Sequence, residues 1–167
     1  NTALNSLTLT TSAANWEVTG PVNGTGGYSG VTRTTMGFSN IELNPTDTNT
    51  NVTFQASPFK WTAPAATGQG FDSPSRFMIT GTFRQRGVGQ STSAVLNRRG
   101  EIVVYKNGEE VFRSLSSASG SKNEGYNYFS FIETIRGGDI ITIDNPGESG
   151  SKGGEISSGK FTGFKVG

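Results

Sequence analysis

The sequence contains no histidine and no cysteine. Histidine is the commonest general base and metal ligand in proteins, so an enzyme built from this chain would need carboxylates, Lys, Ser or Tyr for its chemistry. The absence of cysteine means that no disulfide holds the fold, and it leaves the redox compartment unspecified. These two absences favour a protein that binds or assembles over one that catalyses.

Charge and long apolar runs are also scarce. Charged residues make up 16% of the chain and the formal net charge is +1, which gives no strong field for nucleic acid or an anionic membrane. The basic pairs Arg84/Arg86 and Arg98/Arg99 have no aromatic residues between them. No apolar run approaches the roughly 18 residues of a membrane span. We therefore expect neither nucleic-acid binding nor membrane insertion.

Helical periodicity is missing, and strand patterns recur in its place. No segment carries apolar residues at i, i+3, i+4 and i+7 over three turns. Short alternating segments between Gly, Ser, Asn and Pro clusters instead predict about eight to ten strands, negligible helix and an all-β antiparallel sandwich, jelly roll or barrel. The segments with strand patterns, from which these strands are expected, are residues 6–11, 15–19, 36–43 (a weak pattern), 51–56, 59–62 (an edge strand among prolines), 77–86, 102–106, 109–113, 126–134, 140–144 and 161–166. Residues 20–30 and 145–159 are predicted loops.

The dipeptide Asn107-Gly108 gives the clearest local prediction. It separates two alternating segments, and a two-residue type I′ turn favours Asn-Gly because both central residues need a positive φ. A hairpin is therefore expected, with Lys106 and Glu109 facing each other and able to pair.

The predicted strand at 126–134 carries aromatic residues on both faces. Tyr126, Tyr128, Ser130 and Ile132 share one face, and Phe129 and Phe131 lie on the other. A strand of this kind is covered on both sides. One cover is the core of the sandwich, and the other is either a neighbouring subunit or another part of the same monomer.

The order of several motifs resembles the C1q/TNF-like jelly-roll family over residues 51–167. The motifs are Trp61-Thr-Ala-Pro64, Phe77-Met-Ile-Thr-Gly-Thr-Phe83, Val104-Tyr-Lys-Asn-Gly-Glu-Glu-Val111, Phe129-Ser-Phe-Ile-Glu-Thr-Ile-Arg-Gly-Gly-Asp-Ile-Ile-Thr-Ile143 and Phe161-Thr-Gly-Phe164. The chain departs from the family pattern by an insertion, Ala65 to Ser75, before Phe77. We expect that insertion to form a loop specific to this protein's partner.

The resemblance implies a jelly roll that forms homotrimers. In that family the strand before the Gly-Asp turn lines the threefold axis, which carries over here to Tyr128, Ser130 and Ile132. For domain organisation we expect an N-terminal strand or junction segment at residues 1–30 and the jelly roll at 31–167, or one continuous domain over 1–167.

Four carboxylates are the candidates for a glycosidase-type acid pair: Asp139, Asp144, Glu148 and Glu155. Asp139 and Asp144 lie in turn sequences, where Asp commonly bonds its own backbone, so structural roles are favoured. Together with Asp47 and Asp72 these oxygens lack the spacing of a calcium loop. We expect no cofactor and no metal, with a loop calcium ion as the alternative.

Aromatic residues in or beside the Gly- and Pro-rich loops are candidates for stacking on a sugar. The loop-binding candidates are Tyr28, Trp61 and Phe71, with Trp16 beside them. The competing interpretation places these rings at the ends of the sandwich core.

The Thr-, Asn-, Ser- and Gly-rich composition suggests a virion protein, an extracellular particle component of a bacteriophage. We expect a non-enzymatic homotrimer that forms the receptor-binding tip of a tail fibre and holds a host surface glycan or protein. The alternative is a head decoration (cement) protein bound to capsid shell proteins. A third interpretation is a carbohydrate-binding module or a carboxylate-dependent glycosidase.

Overall fold

The structure is a computed structural model that describes residues 15–25, 34–43, 53–64, 74–87, 98–118, 124–145 and 154–167. These ranges contain eleven β-strands, and none of their residues is helical. No helix in these ranges is long and apolar enough to cross a membrane. The strands are β1 (Trp16–Thr25), β2 (Thr34–Thr35), β3 (Gly37–Leu43), β4 (Thr53–Ala56), β5 (Phe59–Thr62), β6 (Ser75–Gly87), β7 (Arg98–Lys106), β8 (Glu109–Ala118), β9 (Glu124–Ile135), β10 (Ile140–Asn145) and β11 (Gly154–Lys165).

The strands form two antiparallel sheets. The five-stranded sheet has the order β3-β1-β11-β6-β9, and the other has the order β4-β5-β10-β7-β8, with the short β2 also paired to β10. The predicted all-β antiparallel sandwich is confirmed, with eleven strands among the described residues rather than about eight to ten. The described part of the expected N-terminal segment, β1, lies inside the five-stranded sheet. The division at residue 30 stays a prediction.

Large aromatic side chains from both sheets fill the space between them. On β6 the alternation is as predicted: Phe77, Ile79 and Phe83 are fully buried, whereas Met78 and Thr80 on the opposite face are only partly buried. The indole of Trp16 is close to rings from both sheets, 4.7 Å from Trp61 and 5.7 Å from Phe161 between centroids. Aromatic contacts of this kind stabilise a core beyond their buried area, which compensates for the chain's low apolar fraction of 32%.

The predicted hairpin is confirmed in its turn and its register. Asn107 and Gly108 have φ values of 55° and 83°, as a type I′ turn requires. Lys106 lies opposite Glu109, but its ammonium forms an ion pair with Glu133 and also donates to the carbonyl of Thr134, 3.1 Å away. The expected pairing across the hairpin is therefore replaced by one that links β7 to β9 in the other sheet.

The two predicted Gly-rich loops are shorter than expected because strands extend into them. β1 continues through Gly20 to Thr25, with a register shift after Thr19 and a φ of 112° at Gly20. β11 begins at Gly154, within the predicted loop 145–159. Gly weakens a strand but is compatible with a bulge in it. The predicted strand 6–11 lies outside the described residues.

The prediction that residues 59–62 form an edge strand is wrong. β5 lies between β4 and β10 and pairs with both of them. Pro58 precedes β5 and Pro64 follows it, so every residue of the strand keeps its N–H for the ladder.

Candidate assembly and ligand-binding face

Strand β9 forms one edge of the five-stranded sheet and turns alternate residues to opposite sides. Tyr126, Tyr128 and Ile132 are 55%, 66% and 45% exposed. Asn127 and Ile135, on the other side, are buried. The predicted division of this strand into two faces is therefore confirmed, and its outward face carries large side chains in contact with solvent.

The inward side of β9 is closed by β8 of the opposite sheet. The ring of Phe112 stacks on Phe131 with a centroid separation of 4.5 Å and an interplanar angle of 4°, and it lies 5.0 Å from Phe129. The Ser114 hydroxyl donates to the side-chain oxygen of Asn127. Because these contacts are made within one chain, Phe129 and Phe131 need no second subunit, whereas the outward face has no such cover among the described residues.

The strand register places the outward residues in rows across β9, β6 and β11. Beginning at one end of the face, the rows are Ile132–Met78–Phe164, Ser130–Thr80–Thr162, Tyr128–Thr82–Lys160 and Tyr126–Arg84–Ser158. The first row is apolar, the second has only hydroxyl side chains, and the last two combine tyrosines with two cations. We call the whole set the outer face, and its first row the apolar row.

Exposed large hydrophobic side chains in the described residues are concentrated on this face. They are Tyr126, Tyr128 and Ile132 on β9, Phe164 on β11 and Val166 just beyond it. Val166 follows Phe164 by two residues and its N–H donates to the carbonyl of Arg76, so strand alternation continues and keeps it on the same side. Scattered surface apolar residues are ordinary, but several on one side of one sheet mark an interaction surface.

A depression of about 310 Å³ lies beside the tyrosines. The Tyr126 and Tyr128 rings are 6.1 Å apart at an interplanar angle of 17° and form the side nearest the sheet edge. The other residues that line the depression come from β6, β11 and β1: Thr82, Arg84, Ser158, Gly159, Lys160 and Gly20. Lys160 is ion-paired through Nζ to Glu17, 2.7 Å away. The depression therefore joins an aromatic wall to two positive charges and two hydroxyl groups.

The loop-binding prediction is wrong for Trp61. Its side chain is 0% exposed and its ring lies 5.6 Å from that of Phe77, so it cannot stack on a ligand. Trp16 is buried in the same cluster. The alternation of Phe59 and Trp61 along β5 is the sequence signal for this outcome. Tyr28 and Phe71 lie outside the described residues, and their roles stay predictions.

Two of the four candidate acid-pair carboxylates, Asp139 and Asp144, lie among the described side chains and occupy structural positions. Asp139 accepts hydrogen bonds from the Arg136 N–H at Oδ2 and from Asn107 Nδ2 at Oδ1, both at 2.8 Å. Asp144 is buried within β10. Within the described ranges, no group of three or more acidic side chains is placed to hold a metal ion. Asp47, Asp72 and Glu148 lie outside these ranges, and nothing is described for the Glu155 side chain.

Met78, Phe164, Arg84 and Lys160 were not among the candidates from sequence. Their positions on the outer face depend on which strands become neighbours, because β11 and β6 pair across a long sequence separation. Local alternation shows which side of the sheet each residue faces. It does not show which residues of the neighbouring strands lie beside it in a row.

Two sheets of this order, joined into one sandwich around an aromatic core, define an antiparallel β-sandwich of the jelly-roll class. No protein-family model matches the chain, and no curated protein matches it either. Solved structures do match. The globular domain of zebrafish complement 1qA protein superposes with a TM-score of 0.53 at 13% identity, covering 92% of this chain and 97% of that one.

Two TNF-related structures match to a similar degree. Murine APRIL at pH 5.0 gives a TM-score of 0.55 at 14% identity, covering 91% of this chain and 98% of that one. Eiger TNF from S. frugiperda gives 0.52 at 9% identity and 92% coverage of both chains. The chain therefore has a C1q/TNF-like jelly-roll fold, as its motif order indicated.

Proposed function

We propose that the chain is a non-enzymatic binding module that assembles as a homotrimer through its outer face, with Tyr128, Ser130 and Ile132 beside the threefold axis. The observation that carries this proposal is the set of exposed large apolar side chains on β9 and at the end of β11. Removing such side chains from water contributes about 25 cal/mol per Å² of apolar surface. A second copy of the chain is the occupant that would cover this face in every molecule.

The number three is supported by the fold rather than by the face. The solved structures that this chain matches are C1q/TNF-like proteins. The motif resemblance to that family implies a homotrimer. Strand β9 can lie beside a threefold axis because it is at the edge of its sheet. An edge strand has only one neighbour in its sheet and can approach its symmetry mates closely.

The non-enzymatic part of the proposal is supported by the roles of the acidic side chains. One oxygen of Asp139 accepts from the Arg136 N–H within the turn between β9 and β10, and the other accepts from the Asn107 side chain in the hairpin turn between β7 and β8. Asp144 is buried in the middle of a sheet, away from the depression on the outer face. The sequence offers no histidine or cysteine to act in their place.

The proposed setting is a virion, with the trimer at the receptor-binding tip of a phage tail fibre. A head decoration protein is the alternative, and a carbohydrate-binding module or a carboxylate-dependent glycosidase is a further one. The support for a virion is the composition of the chain, which is rich in Thr, Asn, Ser and Gly. The parent reading frame decides between the first two, since a repetitive shaft upstream means a fibre and a neighbouring capsid gene means decoration.

Light scattering at micromolar concentration tests the trimer. We expect three times the mass of one chain for the wild type. Tyr128→Asp should give the mass of a single chain, because three carboxylates beside one axis repel each other and lose solvation. Gln55→Asp is the matched control: it adds the same charge at an exposed position on β4, in the other sheet, and should leave the trimer intact.

Two results contradict the proposal. A monomeric wild type at micromolar concentration excludes the trimer. A Tyr128→Asp variant that remains trimeric shows that the axis lies elsewhere. Circular dichroism of the variant separates dissociation from unfolding, because a dissociated but folded subunit keeps the β-sheet spectrum.

A further inference from the structure

The hairpin turn between β7 and β8 has the sequence asparagine-glycine in an exposed position. Asparagine is thermolabile, and a following glycine makes its amide easier to lose because glycine has no Cβ to shield its own backbone nitrogen. Asn107 and Gly108 are both exposed, so solvent reaches the reacting groups. We propose that Asn107 is a modification site, at which slow deamidation is controlled by Asp139 and releases the hairpin from the turn after β9.

Deamidation at this turn needs only water as a co-reactant. The backbone nitrogen of Gly108 loses its proton to solvent and attacks Cγ of Asn107, and Nδ2 takes up protons from water and leaves as ammonia. Water then opens the resulting five-membered succinimide at one of its two carbonyl groups. Opening of the bond between Cγ and nitrogen gives aspartate. Opening of the backbone C–N bond gives isoaspartate, in which the main chain runs through Cβ and Cγ.

The carboxamide of Asn107 is held at both ends in the folded chain. Its Nδ2, the leaving group, donates to Oδ1 of Asp139 at 2.8 Å, and its Oδ1 accepts from the Ile140 N–H at 2.9 Å. Attack makes Cγ tetrahedral and moves both of these atoms away from their partners, so the two hydrogen bonds must open first. The rate in the folded protein therefore follows the fraction of molecules in which this contact is open.

Asp139 is the stronger of the two partners. Hydrogen bonds to a charged group are about twice as strong as those between neutral groups. The position of its carboxylate does not depend on Asn107, because Oδ2 accepts from the Arg136 N–H at 2.8 Å. The backbone of Asp139 is also fixed, since its carbonyl accepts from the Ala63 N–H at 2.8 Å. Loss of this one acceptor should therefore release the carboxamide while the turn after β9 stays in place.

Deamidation turns an attractive contact into a repulsive one. An aspartate at position 107 has no Nδ2 hydrogen to donate, so a second carboxylate faces Asp139, and like charges at this separation repel. An isoaspartate adds one atom to the main chain between Lys106 and Glu109, where the two-residue turn requires two positive φ values. Either product removes the side-chain link between the hairpin and the turn after β9.

This inference goes beyond the proposed binding role and does not rest on the trimer. Asn107, Asp139 and Arg136 lie in turns, and none of them belongs to the rows of the outer face. The chain also supplies an internal comparison. A second asparagine-glycine pair, Asn23-Gly24, lies within β1, so unfolding of the whole subunit exposes both pairs, whereas opening of the Asp139 contact exposes only Asn107.

Peptide mapping by mass spectrometry during incubation at mildly alkaline pH measures the rate at each asparagine. Asn107 should deamidate about tenfold more slowly in the folded protein than in the same chain unfolded in urea. Asp139→Ser keeps an oxygen for the Arg136 N–H but is too short to reach Asn107. It should accelerate deamidation there about tenfold, the factor for one charge-assisted hydrogen bond, and leave Asn23 unchanged.

Glu110→Gln is the matched control, because it removes a carboxylate of the same hairpin that pairs with Arg113 and not with Asn107. It should deamidate at the wild-type rate. The control by Asp139 is overturned if Asn107 reacts as fast in the folded wild type as in urea, if Asp139→Ser does not accelerate it, or if that variant accelerates Asn23 equally.

A charge-exchange pair tests the consequence of the modification. Asn107→Asp reproduces the aspartate product and should lower the urea midpoint, as should Asp139→Asn. The double variant restores a donor at 139 and an acceptor at 107, and it keeps oxygens for the Arg136 and Ile140 N–H groups. It should recover most of the lost midpoint. A double variant no more stable than Asn107→Asp alone overturns the proposed release of the hairpin.

Discussion

The indole of Trp16 occupies the space that a side chain at position 163 would need. Gly163 lies opposite Trp16 in the β1–β11 ladder, and a Cβ there would overlap the six-membered ring of the indole. The same arrangement recurs where Phe83 covers Gly159 and Phe129 covers Gly81. The inward face of the five-stranded sheet is therefore built from large rings placed over glycines in neighbouring strands.

We predict that Gly163→Val destabilises the fold. The valine must displace the Trp16 ring, which also contacts rings of Trp61 and Phe77, and overpacking of this kind costs about 1–3 kcal/mol. Chemical denaturation followed by tryptophan fluorescence measures the change. Thr19→Val is the control, since it also places a valine on the β1–β11 pair but on the outward side of β1, where a methyl group only replaces a hydroxyl, and it should change the stability by less than about 0.5 kcal/mol.

Equal stability for Gly163→Val and the wild type would contradict this account. It would mean that the indole has another position of similar energy. If Thr19→Val lowered the stability as much as Gly163→Val does, the effect would come from substitution anywhere in the β1–β11 pair and not from displacement of the indole ring.

The local features of this fold were predictable from sequence, and the long-range ones were not. Asn107-Gly108 specifies its own turn, because few other residue pairs accept two positive φ values. The alternation along β6 and β9 gave the correct side for each residue. Gly159 looks like a loop residue when considered alone, because the ring that covers it, that of Phe83, comes from a distant strand.

The candidate site shows the same division. Tyr128 could be assigned to an exposed face from its own strand. The depression could not be predicted, because Arg84 and Lys160 are distant in sequence and become neighbours only through the β6–β11 register. Trp61 shows the opposite error: neighbouring prolines indicated an edge strand beside loops and made its ring a loop-binding candidate, whereas alternation with Phe59 placed that ring in the core.

The side chain of Asn107 ties the hairpin to the turn after β9. Its Oδ1 accepts from the Ile140 N–H at 2.9 Å and its Nδ2 donates to Asp139 at 2.8 Å. We predict that Asn107→Gly, which keeps the positive φ but loses both bonds, costs about 1–2 kcal/mol. Asn107→Ala loses the bonds and also strains the turn, so it should cost about 1 kcal/mol more.

Urea denaturation of the two variants separates these contributions. A glycine variant as stable as the wild type would show that the two side-chain hydrogen bonds are no more favourable than hydrogen bonds of the same groups to water. An alanine variant no worse than the glycine variant would show that the turn tolerates the change in φ.

Two ion pairs in different surroundings should differ in strength. The Lys106 and Glu133 side chains are 26% and 19% exposed and link the two sheets. Those of Arg113 and Glu110 are 39% and 40% exposed and lie within one strand. A double-mutant cycle with Lys106→Met and Glu133→Gln should give a coupling free energy of about 1 kcal/mol, and one with Arg113→Met and Glu110→Gln about 0.3 kcal/mol or less. The reverse order would contradict the proposed link between the sheets.

The Glu110 pair should also depend on pH. The hydrogen bond from Arg113 lowers the pKa of the Glu110 carboxyl, its positive charge adds to this effect, and slight burial opposes it. A folded-state pKa below the unfolded value, about 4.3, means that the pair stabilises the protein above that pH and that this contribution is lost as pH falls through the folded-state pKa. The stability difference between wild type and Glu110→Gln should therefore be small at pH 7 and decrease as pH falls below the unfolded-state pKa of about 4.3, as measured by urea denaturation.

Phe161 and Phe164 offer the sharpest test of the outer face, because one strand places them on opposite sides of the sheet. Phe161 is fully buried and Phe164 is 41% exposed. We predict that Phe161→Ala costs about 3–5 kcal/mol of subunit stability, the usual range for a buried phenylalanine. Phe164→Ala should change subunit stability by less than about 0.5 kcal/mol.

Phe164→Ala should weaken subunit association even though it leaves subunit stability almost unchanged. If the apolar row is covered by a neighbouring subunit, removing this ring costs about 2 kcal/mol at the interface, as for other aromatic anchors, which is more than a tenfold shift in subunit dissociation. Sedimentation velocity over a concentration series measures that shift. A Phe164→Ala variant that dissociates no more readily than the wild type places the apolar row outside the subunit interface, since an aromatic ring buried between subunits cannot be removed without weakening their association.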